Sequence, residues 1–116
     1  MPSDEPSSHE LPPIGEIDRL IHEPARYMIM AHLFVVKSAD FLFLMRRIGL
    51  TRGNLSSHMT KLENAGYLKV IKEFVGKKPH TMLKLTRKGR MVFEDYRTRM
   101  EQMITRLPEN NVLTKL

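Results

Sequence analysis

The sequence predicts a mainly helical α+β fold, with one small β-hairpin set among several helices. Three observations predict it. Apolar residues recur at helical spacing through most of the chain up to Gly66. Residues 67–85 break that period with two β-rich runs around a turn containing Gly and Pro. Helical spacing then returns and holds for ~20 residues, up to Pro108. The 116 residues, 41% of them hydrophobic, suffice for one core and one domain.

Taken in order, Met1 to Pro13 is rich in Pro, Ser and acids and reads as a flexible acidic leader. The domain is expected over residues 14–107, with 108–116 as a tail. Ile14, Ile17 and Ile21 predict a short amphipathic first helix, weakened by Gly15. Pro24 suits the first turn of a second helix, running to about Val36 and apolar nearly all round, which places it in the centre of the core. His32 lies within it. No second His or carboxylate completes a metal site at a suitable spacing, so it reads as a histidine with a satisfied hydrogen bond. Residues 37–39 connect, with room for one short strand.

Asp40 is expected to cap a third helix, in which Phe41, Leu44, Met45 and Ile48 form one stripe. Arg46 and Arg47 close its last turn, where cations complement the helix dipole or meet phosphate. Gly49 stops it. Thr51 is the expected N-cap of the next helix, in which Leu55, Met59 and Leu62 form the buried stripe. Gly66 is placed to end that helix in the left-handed conformation. Two helices joined by a short glycine-containing turn have helix-turn-helix spacing. On the second of them Asn54, Ser57, His58 and Lys61 fall away from the stripe. They make a surface of short hydrogen-bonding side chains and cations, as a helix in a DNA major groove requires.

Residues 67–75 and 81–85 are the expected strands, and Gly76 to His80 the turn, carrying two lysines and a histidine at its tip. Thr86 caps a last helix over residues 87–107. Phe93, Tyr96, Met100, Met103 and Leu107 are spaced 3, 4, 3, 4 along it. That heptad seam is expected to pack partly on its own core and partly on the same helix of a second subunit.

Charge supports a polyanionic partner. The net charge is +6 and the pI about 9.8. Residues 46–90 hold twelve bases and two acids, whereas residues 1–23 hold six acids and one base. Other classes fall away. With no cysteine there is no disulfide scaffold, thiolate zinc site or cysteine nucleophile. No apolar run approaches the ~20 residues that cross a bilayer, and the N-terminus is no secretory signal, so a cytoplasmic protein without membrane contact is expected. A Gly-rich phosphate loop, paired carboxylates in an apolar context and a supported Ser/His/Asp constellation are all missing, so neither an enzyme nor a cofactor is expected.

The run from Gly53 to Tyr67 resembles the G-N-L-S-x-H-x-x-K-L-E-x-A-G-Y signature of MarR/ArsR-like winged helix-turn-helix transcriptional regulators. It is most similar to the small subgroup known simply as winged helix DNA-binding proteins. Phe74, Gly76, Pro79 and Thr81 resemble that subgroup's F-x-G-x-x-P-x-T pattern, and Leu85 to Arg90 its L-T-x-x-G-R pattern. Pro24-Ala25-Arg26 is similar too, and the likeness covers about residues 17–97. It implies a homodimer joined through the first and last helices, with Ile14, Ile17, Ile21, Phe93, Tyr96, Met100, Met103 and Leu107 at the interface. It also implies DNA-facing positions Arg52, Asn54, Ser56, Ser57, His58 and Lys61 on the helix, and Lys77, Lys78 and His80 on the wing. Metal-sensing relatives use cysteine or clustered histidines, which this chain lacks, so the likeness names no effector.

On this reading Arg52, Lys61, Lys77 and Lys78 contact phosphate, and Asn54, Ser57 and His58 read base edges. The rival is a winged helix that binds protein instead of DNA. Such modules tend to have acidic or apolar wings, and this one is basic.

Overall fold

The structure, a computed structural model, describes residues 18–107. Four helices and three strands follow one another as α1 Pro24–Val35, β1 Ala39–Asp40, α2 Phe41–Ile48, α3 Arg52–Asn64, β2 Leu68–Val75, β3 Lys78–Leu85 and α4 Arg87–Arg106. The sheet is antiparallel in the order β1-β3-β2. This is a winged helix fold, mainly helical with a small β wing.

Helix boundaries sit where local chemistry sets them. Asp40, Thr51 and Thr86 each accept a hydrogen bond from the backbone amide three residues on, as capping side chains do. Pro24 occupies the first turn of α1, where Glu23 is the cap and accepts from the Arg26 amide. Gly49 ends α2 at φ +81°. At the end of α3, Gly66 has φ +82°, its amide donates to Glu63, and the Tyr67 amide reaches back to Leu62. These two bonds form a Schellman motif, which requires the left-handed conformation that glycine adopts freely.

The core lies between α1, the inner faces of α2 and α3, the sheet and the first half of α4. Ile29, Met30 and Leu33 of α1, Leu44, Leu55, Leu62 and Leu83 are fully buried. His32 Nδ1 donates to Met28 O, 2.7 Å away on its own helix, so its hydrogen bond is satisfied locally.

Three expectations need correction. The first helix is not formed over the residues described: Ile14 and Ile17 lie outside them, and residues 19–22 make a turn held by the Asp18 carboxylate and carbonyl. Ile21, Phe93 and Tyr96, expected at the dimer interface, are buried in the core of their own chain. Tyr27 and Phe34 of α1 pack against Phe93, and Tyr27 and His22 against Tyr96. A side chain already enclosed by its own subunit has no surface left for a second. The turn expected over residues 76–80 is only Gly76 and Lys77, since Lys78, Pro79 and His80 are already paired in β3. Gly76 has φ +65° and Lys77, like every non-glycine among the described residues, does not have positive φ, the signature of a type II′ hairpin.

Candidate nucleic-acid interface

The site starts from the burial of α3. Leu55 and Leu62 are fully buried and Met59 half-buried, so the opposite side of the helix must face outwards. Asn54, Ser57 and Lys61 are exposed there, as expected. Gly53, Thr60 and Asn64 complete that outer face and were missed. The signal that finds them is angular: at 100° per residue they stand opposite the Leu55–Leu62 stripe. Thr60 is partly committed, its hydroxyl donating to Ser56 O at 2.9 Å. Ser56 is half-buried at the flank of the face.

His58 does not join this surface, which corrects its reading as a base-reading residue. Its side chain is 18% exposed, and Nδ1 lies 3.2 Å from an Arg26 guanidinium nitrogen and 3.8 Å from the Glu23 carboxylate. The reason is geometric. His58 stands three residues after Leu55 and four before Leu62, hence beside the buried stripe on the side that meets α1. A guanidinium only donates, so His58 Nδ1 accepts and the ring proton sits on Nε2. Arg26 is anchored in turn by Nε donating to Leu20 O at 2.6 Å. Burial raises the Glu23 carboxyl, but hydrogen bonds from the Arg26 and Ala25 amides and the nearby Arg26 charge outweigh it, and the group is held below its ordinary value.

Two joints lock α3 to the rest of the domain at its far end. The Thr86 hydroxyl donates to Gly66 O at 2.5 Å while accepting from the Gly89 amide at 3.0 Å, and the Thr86 amide donates to Tyr67 O at 3.0 Å. The Tyr67 hydroxyl donates to Asp18 at 2.7 Å. The outer face of α3 is therefore presented by a helix held against α1 at its middle and locked to the start of α4 at its far end.

The wing stands beside the start of α3. Arg52 is exposed and shares an open groove of about 330 Å³ with the start of α2 and with Lys78, Pro79 and His80 of β3. Lys77 sits at the turn and Lys78 opens β3, both exposed. His80 is half-buried and tied to the Asp40 carboxylate at 3.2 Å, so it braces the base of the wing instead of its tip. Burial raises the Asp40 carboxyl, yet the His80 hydrogen bond and the Phe43 and Leu42 amides bring it below its ordinary value. Arg46 and Arg47 are exposed at the end of α2, next to Phe43. Among the described residues no cluster of three His, Cys, Asp or Glu side chains could hold a metal ion, and no helix is long and apolar enough to cross a membrane.

Comparison with known proteins bears on this arrangement. A family model described as the winged helix DNA-binding domain matches residues 25–104. An uncharacterized protein of Methanocaldococcus jannaschii is 32% identical over 78 residues, covering 67% of this chain and 85% of that one. Among solved structures, a transcriptional regulator homologue from Pyrococcus horikoshii superposes with a TM-score of 0.72 at 27% identity, over 76% of this chain and 87% of that chain. A transcriptional regulator of the MarR family from Enterococcus faecalis superposes with a TM-score of 0.66, over 74% of this chain and 77% of that one. At 21% identity that likeness speaks for the fold alone.

Proposed function

The chain belongs to the winged helix DNA-binding domain family and has the fold of MarR-family transcriptional regulators; from that premise we propose that it regulates transcription as a homodimer bound to specific duplex DNA. In this reading α3 enters the major groove, and the wing lies on the backbone or in the adjacent minor groove. The observation that carries it is the outer face of α3. Asn54, Ser57 and Lys61 stand free over a buried leucine stripe, beside a wing tip that carries Lys77 and Lys78. Asn54 and Ser57 are the base readers, asparagine suiting adenine and serine being permissive. Arg52, Lys61, Lys77 and Lys78 supply the phosphate contacts, and with them most of the affinity and its salt dependence. His58 is a positioning residue that holds the reading face at its angle.

The dimer reading is supported by the second half of α4. Met100 and Met103 are half-buried, while Ile104 is 71% exposed and Leu107 55%. Met100 and Ile104 line an open groove of about 680 Å³ between α4 and the start of α1, together with Tyr27 and Tyr96. An apolar helix end that the described residues leave uncovered is suited to the same helix of a second copy. Met100, Met103 and Leu107 are the seam positions that remain for that contact. A two-fold dimer sets its half-sites about one helical turn, ~10 base pairs, apart.

The test is fluorescence anisotropy of the full chain with a random-sequence duplex of ~30 base pairs at several salt concentrations. The expected result is binding that weakens steeply with salt, with a slope for several phosphate contacts per dimer. An absence of binding even at low salt would replace this reading with a winged helix that docks on protein.

A further inference from the structure

The tip of the wing is apolar as well as cationic. Phe74 is 75% exposed and its neighbour Val75 58%. Neither belongs to the core or packs against it. A single exposed apolar residue needs no explanation, but here Phe74 and Pro79 stand together on one face beside a tight two-residue turn, with Lys72 on the same face, Lys77 in the turn, and Val75 and Lys78 on the opposite face.

The register shows how this tip is built. Val75 pairs with Lys78 next to the turn, so Phe74 and Pro79 form the following pair. Next to a two-residue loop that following pair is the one without ladder hydrogen bonds, in which opposed side chains stand closest. Phe74 and Pro79 share a face with Lys72 and Thr81, and farther in with Val70 and the fully buried Leu83. Along this face burial falls from complete at Leu83 to a mostly exposed ring at Phe74. The face therefore continues the core surface out past the body of the domain, and it ends in a phenylalanine paired across the hairpin with a proline.

Resting on the DNA-binding reading above, we propose that Phe74, braced by Pro79, is an apolar wedge that enters the minor groove, unstacks a base step and bends the duplex. The cationic collar selects the partner. A minor groove has phosphate rims and a lining of sugar carbons, and a step opened within it exposes apolar base faces, so lysines flanking an aromatic ring match it in both respects. A protein pocket for the same ring would need an acidic rim against Lys72, Lys77 and Lys78. The placement agrees: Lys78 and Pro79 share a groove with Arg52 at the start of α3, so a helix seated in the major groove carries the wing to the neighbouring minor groove. The wedge makes the wing a source of sequence preference at positions α3 does not touch, because pyrimidine–purine steps unstack most readily.

The experiment compares wild-type chain with Phe74→Ala, Phe74→Trp and the double variant Lys77→Ala/Lys78→Ala on one random-sequence duplex of ~30 base pairs. The duplex carries a fluorophore pair at its ends and 2-aminopurine at internal steps. Wild type is expected to draw the ends together and raise 2-aminopurine emission. Phe74→Ala should keep the thermal midpoint, since the ring is exposed. It should bind on the order of tenfold more weakly with an unchanged salt slope, and lose both signals. Phe74→Trp should restore them, and the lysine variant should lower the salt slope instead. A Phe74→Ala variant that binds, bends and unstacks as wild type does would overturn the wedge alone. So would one whose weaker binding follows a change in sedimentation from dimer to monomer. No duplex binding by wild type would overturn the DNA-binding reading and the wedge with it.

Discussion

The Arg26 guanidinium lies 3.2 Å from Nδ1 of His58, so a residue at the start of α1 holds the flank of α3 across 32 positions of sequence. Because Glu23 caps α1 and also faces His58, three side chains tie the angle of the reading helix to the packing of α1. Replacing His58 by Ala should therefore cost about 1 kcal/mol, the worth of one partly buried hydrogen bond, and lower the melting midpoint by about 5 °C. Affinity should fall on every duplex alike. Asn54→Ala is the contrast: exposed, it should leave the midpoint in place and narrow the gap between preferred and random sequence. Melting curves together with anisotropy on both kinds of duplex separate the two roles. A midpoint unchanged by His58→Ala would show that the Arg26 contact does not hold α3.

Gly89 packs directly on the backbone of Tyr67. A Cβ there would overlap the Tyr67 carbonyl group and lie 2.9 Å from Tyr67 Cα. Backbone cannot move aside as a side-chain tip can, and this contact fixes α4 against the end of α3. Gly89→Ala should destabilise the domain by on the order of 3 kcal/mol. Gly53→Ala meets nothing within 4 Å and sits in a helix, so it should hold or gain stability. Urea denaturation of the two variants tests this difference, which sequence alone does not suggest.

Stability should fall at both ends of the pH scale, for opposite reasons. Burial, then the hydrogen bond to Asp18 and its charge, push the Tyr67 hydroxyl up to about 12 from an ordinary 10. A value raised by folding stabilises fully below pH 10 and is lost as pH climbs towards 12. Tyr67→Phe should lose about 1 kcal/mol at neutral pH and flatten the alkaline decline. Glu23 and Asp40 are held below their ordinary values. Their contribution is present above the ordinary carboxylate range and disappears as pH drops through the lowered values. Denaturation midpoints from pH 3 to 12, for wild type and Tyr67→Phe, would show both limbs.

The lysines at the wing tip should act through charge. Lys77→Ala with Lys78→Ala is expected to weaken binding to all duplexes equally and to reduce the slope of log affinity against log salt by about two per protomer. A change in sequence preference without a change in slope would reassign them to base reading.

Ile104 is the test of assembly. At 71% exposure it contributes little to its own fold, so Ile104→Glu should leave helicity and the melting of dilute protein nearly unchanged. In sedimentation it should convert a dimer to a monomer. A wild-type chain that sediments as a monomer at micromolar concentration would refute the homodimer.

Much of the molecule was legible in the sequence because it depends on neighbours only a few residues away. The caps at Asp40, Thr51 and Thr86, the glycine stops at Gly49 and Gly66, and the exposed Asn54, Ser57 and Lys61 follow from helical periodicity and backbone sterics. His58 was not legible. It stands at the margin of the buried stripe, and only the position of α1 decides to which side it turns. Nor was the heptad seam. Its spacing is the same whether a residue meets its own α1, as Phe93 and Tyr96 do, or a second copy. The wing turn was misread for a third reason. Pro79 signals a turn by local rule, but in β3 its missing amide points to the side away from β2, where β1 pairs only with Met82 and Leu83 and leaves the edge open.

The sequence by itself thus determined the order of elements, their ends and the side of the chain that carries positive charge. All of these arise from hydrogen bonds and steric limits within about four residues and from composition. Only the tertiary structure decided which margin of α3 is turned inwards, how much of α4 is spent on its own core, and that the wing ends in an uncovered phenylalanine. Those outcomes depend on which distant segments compete for the same surface, and burial is settled by that competition.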